Sequence, residues 1–244
     1  MLTADEKTSA FLDLMDDIEY RRVETSEDLE DVGRLRMRAY KATNLMIRTS
    51  PIIDDADFHE SAHIFAVYYR DQLISTMRIH HITDSRRAGT CYEIFSDILE
   101  PLIEQGMTFI DSVRHATDPD MLGELPMPFI TMRLAAMASD YFQVTYSLAA
   151  LKRGHHSFYR RTFNATQLAD ERLFGDFCVP LALFAMPRTL IQHEVSRRYP
   201  FFRSLPRERE LLFAPRDSFK LPPLTVRPTA RQAIAQLRLS TEAA

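Results

Sequence analysis

Residues 107–117, MTFIDSVRHAT, constrain the fold more than any other part of the chain. The stretch has the apolar content of a buried strand, yet it carries Asp111 and Arg114 near its centre. Side chains alternate between the two faces of a strand, so these residues point to opposite faces if the strand is regular. A β-bulge between them would bring both to one face, and bulges often re-aim side chains beside active sites. An edge strand with a solvated ion pair is the alternative that these residues leave open.

The composition of the whole chain limits the class of protein. The 244 residues are 45% hydrophobic and 26% charged, which predicts one large globular domain. There is no apolar run of the roughly 18 residues that a membrane-spanning helix needs. The polar, acidic N-terminus lacks the basic and apolar regions of a secretory signal, so we expect a cytoplasmic protein. The net charge of -4 gives no reason to expect nucleic acid as a partner.

Cysteine and histidine usage favours neither a disulfide nor a metal site. Cys91 and Cys178 are the two cysteines, and without an export signal we expect both to be free thiols. No Cys/His spacing typical of a zinc site is present. The histidine pairs at 80–81 and 155–156 are adjacent in sequence, and adjacent residues of a strand face opposite ways. We therefore predict no bound metal.

The order of hydrophobic patterns predicts an α/β (α+β) fold, in which a mixed sheet carries packed helices. The predicted strands are 18–24, 62–69, 73–82, 107–117, 142–151 and 176–186. The predicted helices are 4–17, 26–43, 96–105 with a break at Pro101, 129–140, 155–163, 189–198 and a terminal helix. The strongest local prediction is the hairpin of 62–69 and 73–82. The predicted organisation is a helical extension over 1–17, a main domain over 18–204 and a C-terminal tail over 205–244.

Several charged residues lie where a folded core could use them. Arg36 and Tyr40 are four residues apart on one predicted helix and share a face. The following loop carries Asp54 and Asp57. Arg78 lies inside a predicted strand and needs an acidic partner if it is buried. An arginine that snorkels to solvent and a solvated acidic loop are the plain alternatives.

This order of elements and residues resembles the GNAT fold of N-acyltransferases, and within it the branch that takes acyl groups from acyl carrier protein. The acyl-homoserine-lactone synthases of that branch (LuxI type) have an arginine with an aromatic residue four further on, two aspartates three apart, an arginine on the next hairpin, and an acidic residue followed three later by an arginine. The chain has a similar ordered set: Arg36 and Tyr40, Asp54 and Asp57, Arg78, and Asp111 and Arg114. Residues 156–163, which include Tyr159, resemble the Phe-Tyr element of these acyltransferases. The resemblance implies a GNAT-like mixed sheet with a splayed central strand pair and helices on both faces.

Departures from the lactone-synthase pattern favour a neighbouring family. Those enzymes usually have a Trp six residues beyond the aromatic residue, where this chain has Met46, and the chain contains 0 Trp. Their aromatic residues shape a pocket for S-adenosylmethionine. The chain is more similar to the long-chain N-acyl amino acid synthases (FeeM type), which acylate a free amino acid. A lactone synthase that uses S-adenosylmethionine remains the alternative enzyme.

The segment 118–128 bears on the acyl donor. Users of acetyl-CoA normally have a Gly-rich loop here, whose backbone N–H groups bind the pyrophosphate. This chain has Gly123 and three prolines in that segment. A phosphopantetheine arm carries a single phosphate and needs fewer backbone N–H donors. The resemblance therefore implies that the protein binds no cofactor of its own and that acyl carrier protein supplies the phosphopantetheine. A CoA-dependent acetyltransferase and a non-catalytic acyl-binding module on the same fold are further alternatives.

The resemblance also implies roles in the reaction, which is attack of an amino acid's α-amine on a thioester. Asp111 is the candidate base, with Asp54 or Asp57 as a candidate helper, although a neighbouring Arg114 would lower the pKa of Asp111. Tyr159 is the candidate acid for the leaving thiolate, or else a core aromatic residue.

The remaining expectations concern basic residues that would bind the substrate carboxylate or the carrier protein. Arg78 would pair with the acidic loop or bind the substrate carboxylate, and Arg36 is the second candidate for that carboxylate. The acidic surface of a carrier protein would be met by a set of basic residues, each of which also fits a plain solvated surface. This set is Lys152, Arg153, Arg160 and Arg161.

Overall fold

The computed structural model describes residues 4–47, 49–123, 125–175, 177–215 and 225–242. Within these ranges the strands form one 8-stranded sheet in the order β6-β7-β5-β4-β3-β2-β1-β8. The strands are β1 (Ile18–Arg22), β2 (Ala62–Tyr69), β3 (Gln72–Ile82), β4 (Phe109–Thr117), β5 (Tyr146–Leu151), β6 (Thr166–Arg172), β7 (Leu181–Pro187) and β8 (Thr225–Val226). Neighbouring strands pair antiparallel except β4 and β5, which are parallel.

Helices pack on both faces of this sheet, as predicted. They are α1 (Ala4–Met15), α2 (Ser26–Ala42), α3 (Thr90–Glu104), α4 (Met127–Phe142), α5 (His156–Phe163), α6 (Arg188–Leu190), α7 (Ser196–Arg198), α8 (Pro206–Phe213) and α9 (Ala230–Glu242), with a π-helical turn, Ile191–Val195, joining α6 to α7. Short 3-10 turns occur at Asp55–Asp57, Pro119–Met121, Arg153–His155 and Pro200–Phe202. Adjacent residues of β4 point to opposite faces of the sheet. Ile110 belongs to the core beneath α4, and Phe109 belongs to the core beneath α3. None of the described helices has the length and apolarity needed to cross a bilayer.

Local sequence signals explain the first half of the fold. The Thr25 hydroxyl accepts a hydrogen bond from the Asp28 N–H at 3.1 Å and caps α2. Arg70 and Asp71 join β2 to β3 with φ of 48° and 64°, the left-handed pair that a two-residue hairpin turn requires. The predicted hairpin is therefore confirmed.

The two central strands separate part-way along their length. Their parallel pairing runs from Phe109 opposite Tyr146 to Asp111 opposite Leu148 and then ends. The Ser112 hydroxyl donates to the Leu148 carbonyl at 3.0 Å at the point of separation. This is the splayed central pair that the sequence predicts, and it leaves a slot between the far halves of β4 and β5.

Several predictions of secondary structure differ from the structure. Strand β5 begins at Tyr146 instead of residue 142, because Phe142 is the last residue of α4. Helix α3 begins at Thr90 instead of residue 96 and continues through Pro101, while its non-helical residue is Phe95 (φ -128°, ψ 31°). The edge strand β6 was not predicted, because its polar and apolar residues alternate without a strong hydrophobic run. Strand β7 begins at Leu181 instead of 176, and residue 176 lies outside the described residues.

The boundary predicted after residue 204 does not end the packed domain. Arg133 of α4 and Glu208 of α8 form an ion pair whose side chains are both 0% exposed. Glu208 also accepts from the Thr229 hydroxyl at 2.6 Å, which ties the start of α9 to the same point. The predicted N-terminal helix packs in the same way, with Phe11 stacked on Phe201 at 3.9 Å. Residues 1–3, 216–224 and 243–244 of the predicted extension and tail lie outside the described residues.

Candidate active site

A β-bulge in β4 places Arg114 on the same face of the sheet as Asp111. Pairing with β3 runs from Thr76 opposite Ala116 to Arg78 opposite Val113, so β4 carries one extra residue between these pairs. Arg114 lies in this bulge with φ of 52°, a left-handed conformation that costs a non-glycine residue about 1–2 kcal/mol. The bulge turns the Arg114 side chain toward the acidic loop.

Five charged side chains form one continuous network beneath that loop. Asp57 accepts from Arg36 at 2.9 Å and from Arg78 at 3.0 Å. Asp54 accepts from Arg78 at 2.5 Å and also from Arg114. The alternating order is Arg36, Asp57, Arg78, Asp54 and Arg114. Four separate segments of the chain therefore converge their acids and arginines here, as the sequence predicts.

The two aspartates hold the loop as well as the arginines. The Asp57 carboxylate also accepts from the Asp54 backbone N–H at 3.0 Å, closing the 3-10 turn at Asp55–Asp57. Burial alone would raise the pKa of Asp54, but the charges of Arg78 and Arg114 outweigh it and lower that pKa to about 2. Asp54 is consequently a carboxylate at neutral pH and a very weak base.

A first cavity of about 270 Å³ occupies the slot between β4 and β5. Most of its lining is apolar, including Val113, Ala116, Ala150 and Leu181. Tyr40 lines it from α2, with a side chain that is almost fully buried. The slot is thus a mainly apolar space beside strand edges that pair with no described residue across it.

A second, polar cavity of about 360 Å³ lies under the acidic loop. It is lined by Asp54, Arg78 and a glutamate that the sequence did not suggest, Glu93 of α3. Thr90 and Arg114 line both cavities, and so does Phe177, whose ring lies 5.5 Å from the Arg114 guanidinium. An apolar space and a charged space therefore meet at three shared residues.

Asp111 differs from its predicted setting. It is 0% exposed, and its Oδ2 accepts a hydrogen bond from the Cys91 N–H at 2.9 Å. Asp111 therefore caps the N-terminus of helix α3 from strand β4. A Cβ on Gly89, whose φ is 119°, would lie 2.4 Å from this oxygen, which explains the glycine. The expectation that Arg114 lowers the pKa of Asp111 is wrong, because burial dominates and raises it to about 6.

Arg36 is also more deeply placed than predicted. Its side chain is 0% exposed and donates to the Ile52 carbonyl at 3.2 Å as well as to Asp57. Burial lowers the pKa of this arginine against the opposing effect of Asp57. Arg36 therefore supports the acidic loop in this structure, and the exposed polar cavity is reached by Arg78 and Arg114 instead.

The remaining predicted residues lie around the slot. Tyr159 of α5 lines it, and its hydroxyl donates to the Met132 sulfur at 3.3 Å. Burial raises the pKa of Tyr159, so its hydroxyl keeps its proton. Lys152 lines the same cavity, and the exposed side chains of Arg153, Arg160 and Arg161 follow it in the turn and helix after β5.

Cysteines and groups of potential metal ligands can be described within the same ranges. Cys91 and Cys178 are both free, the first buried and the second exposed, as expected. No group of three or more His, Cys, Asp or Glu side chains in the described part of the chain is placed to hold a metal.

Sequence reasoning missed two residues of the site, Glu93 of α3 and Phe177 of a late loop. Glu93 would have been visible as a first-turn acid had the start of α3 been recognised at Thr90. Phe177 lies in the loop between β6 and β7, and the Cys178 N–H next to it donates to the Leu45 carbonyl at 2.9 Å. No local sequence pattern predicts that contact.

Comparison with known proteins now identifies the family. A family model described as N-acyl amino acid synthase FeeM matches residues 31–187, which is more than half of the chain. The chain belongs to the FeeM family of N-acyl amino acid synthases. It is accordingly an N-acyltransferase, as the sequence resemblance implies. No curated protein matches the chain.

Solved structures agree with the FeeM family at the level of fold. FeeM from uncultured soil microbes aligns with a TM-score of 0.58 and 17% identity over 70% of this chain and 91% of its own. The acyl-homoserine-lactone synthase LasI aligns with a TM-score of 0.54 and 16% identity, covering 69% of this chain and 88% of LasI. The CoA-dependent lactone synthase BjaI aligns at 0.51 and 12% identity, covering 74% and 89%.

Proposed function

We propose that the protein transfers a long-chain acyl group from the thioester of acyl carrier protein to the α-amine of an amino acid. The observation that carries this proposal is the junction of the apolar slot and the charged cavity at Thr90, Arg114 and Phe177. A thioester in the slot and an amine in the charged cavity would meet there. Holding both reactants in place is itself a large part of catalysis.

The first turn of α4 favours a carrier protein over free CoA as donor. A diphosphate needs several free backbone N–H groups at a helix N-terminus. Here the Met127 N–H donates to the Leu125 carbonyl at 2.8 Å and the Phe129 N–H to the Pro126 carbonyl at 3.0 Å. Pro128 between them has no N–H. The first three helical positions therefore have no free donor for a pyrophosphate.

A phosphopantetheine arm fits the same end of the slot. Lys152 lines the cavity and offers one cation for a single phosphate, with Arg160 and Arg161 exposed on the next helix. These charges belong to a chain whose net charge is -4, so the basic surface is a local feature. Local positive charge suits the acidic surface of a carrier protein and would speed its association.

The charged cavity supports an amino acid acceptor. Arg114 directs its Nη2 to Asp54, while its Nε is buried without a hydrogen-bond partner among the described residues. Arg114 lines this cavity, and arginine binds carboxylates well because of its planar geometry. Met46 lines this cavity at the position where lactone synthases usually have a Trp, which weakens the case for S-adenosylmethionine.

Tyr159 would complete the reaction at the donor end. Tyr159 lines the slot, and its hydroxyl donates to the buried Met132 sulfur at 3.3 Å, in surroundings that keep it protonated. A hydroxyl so placed can give its proton to the thiolate as the carbon–sulfur bond breaks. The tetrahedral oxyanion would be bound by a backbone N–H at the β4 bulge.

The test is a product assay with the purified protein. Acyl carrier protein loaded with acyl chains of several lengths would be incubated with a mixture of amino acids, and lipid amides sought by mass spectrometry. We expect N-acyl amino acids and free carrier thiol. Parallel reactions would replace the carrier by acyl-CoA, or the amino acids by S-adenosylmethionine. Amide formation from acyl-CoA alone, or release of methylthioadenosine, would contradict the proposal.

A further inference from the structure

The polar cavity holds two carboxylates in opposite electrostatic settings, and this difference separates their roles. Asp54 is bonded to Arg78 and Arg114, which outweigh its burial and hold its pKa near 2. Glu93 lines the same cavity, and its side chain forms no hydrogen bond or ion pair with the residues that the structure describes. Burial raises the pKa of Glu93 above its ordinary value. Carboxylates whose surroundings push their pKa values apart usually divide acid–base work between them.

The position of Glu93 in α3 gives it access that Asp111 lacks. Asp111 binds the Cys91 N–H from inside the core and is 0% exposed. Glu93 lies two residues further along the helix, and its side chain is exposed in the cavity. Thr90, one turn before it, lines both cavities. The side chain that reaches the amine's side of the junction is therefore Glu93.

We infer that Glu93 is the general base that removes a proton from the acceptor ammonium, and that Asp111 only orders the helix that carries it. This role rests on the proposed acyl transfer. Charged groups from three other segments act electrostatically on Glu93: Asp54 from the acidic loop, Arg78 from β3 and Arg114 from β4. Glu93 in turn raises the pKa of the buried Asp111. The two arginines lower the pKa of Glu93, whereas burial and Asp54 raise it.

The proton balance of the reaction follows from these positions. The ammonium gives one proton to Glu93, which passes it to solvent, and the free amine attacks the thioester carbonyl carbon. The carbon–nitrogen bond forms, the tetrahedral intermediate collapses, and the carbon–sulfur bond breaks. Tyr159 gives its hydroxyl proton to the thiolate and is reprotonated by the second proton leaving the nitrogen. The products are an amide, a carrier thiol and one released proton.

The experiment compares Glu93→Gln with Glu104→Gln, an exposed glutamate at the far end of the same helix. We expect E93Q to lower kcat by about 10²–10⁴-fold, the usual contribution of a general base, with an unchanged KM for the acyl donor. The E93Q rate should recover as pH rises toward 9, because a growing share of the amine is then already deprotonated. E104Q should keep kcat close to that of the wild type, and Asp111→Asn should lower kcat less than E93Q does.

Three outcomes would decide against this role. E93Q activity equal to that of E104Q would refute it, and so would an E93Q rate that does not recover at high pH. A loss in D111N as large as that in E93Q would return the base to Asp111. Wild-type protein that forms no amide with any amine would refute the proposed function and this role with it, whereas an active wild type with an active E93Q refutes the role alone.

Discussion

The substitution Asp57→Ala should greatly lower the free energy of unfolding, because it leaves buried positive charge without a partner. The Asp57 and Arg36 side chains are both 0% exposed, and their atoms are 2.9 Å apart. Arg78, which is 1% exposed, would keep Asp54, but Arg36 would keep only the Ile52 carbonyl. Removing one partner of a buried ion pair typically costs about 3–5 kcal/mol. For a chain of this size that corresponds to a fall in Tm of roughly 6–20 °C.

The control is an ion pair on the exposed side of the same helix. Arg34 and Glu30 are 2.7 Å apart, but their side chains are 44% and 53% exposed. Exposed pairs at this helical spacing contribute about 0.3–0.5 kcal/mol, so Arg34→Ala should leave the denaturant midpoint almost unchanged. The double variant R36M/D57L removes both charges together and should recover a large part of the loss.

Equilibrium unfolding in urea, followed by circular dichroism, measures these differences directly. Loss of less than about 1 kcal/mol in D57A would show that the Arg36–Asp57 pair is not buried as described, since that value is typical of an exposed pair. A double variant less stable than D57A would show that the network stabilises the fold through something other than charge compensation.

Two further predictions test Asp111 and the basic surface. Burial raises the pKa of Asp111 from 3.8 to about 6, so its contribution to stability is complete below pH 3.8 and is lost as pH rises through 6. The variant D111N should therefore gain stability relative to the wild type between pH 4 and pH 8, by up to about 3 kcal/mol in unfolding titrations, whereas an increasing loss would mean that Asp111 is paired with a cation. The variant R160E/R161E should raise KM for acyl carrier protein about tenfold without changing turnover of a free acyl-pantetheine thioester, and equal effects on both donors would place the carrier elsewhere.

The parts of the fold that the sequence predicts are those with local causes. The β2–β3 hairpin is specified by two apolar runs and a two-residue turn, and α2 by its Thr25 cap. The start of α3 is different, because its cap is Asp111, which lies 20 residues further along the chain. The integration of the C-terminal segment depends on Arg133 and Glu208, 75 residues apart. Neither contact has a periodic signal.

The candidate site divides in the same way. The ordered set of acids and arginines predicts that these side chains meet, and the network from Arg36 to Arg114 shows that all of them except Asp111 do. Which of them face substrate depends on burial. A strand position alone cannot distinguish the fully buried Asp111 from an exposed acid, nor suggest that Glu93 on a neighbouring helix lines the cavity. Tertiary packing determines both the burial of Asp111 and the position of Glu93 at the cavity.

The slot between β4 and β5 is the feature on which the account depends most. A structure of the protein with an S-alkyl pantetheine analogue, whose thioether cannot transfer its chain, would locate the donor directly. We predict that the chain and the sulfur lie between the strands beyond the last β4–β5 pair, Asp111 opposite Leu148, with the sulfur beside Tyr159. An analogue bound outside this slot, with β4 and β5 closed against each other, would contradict the account.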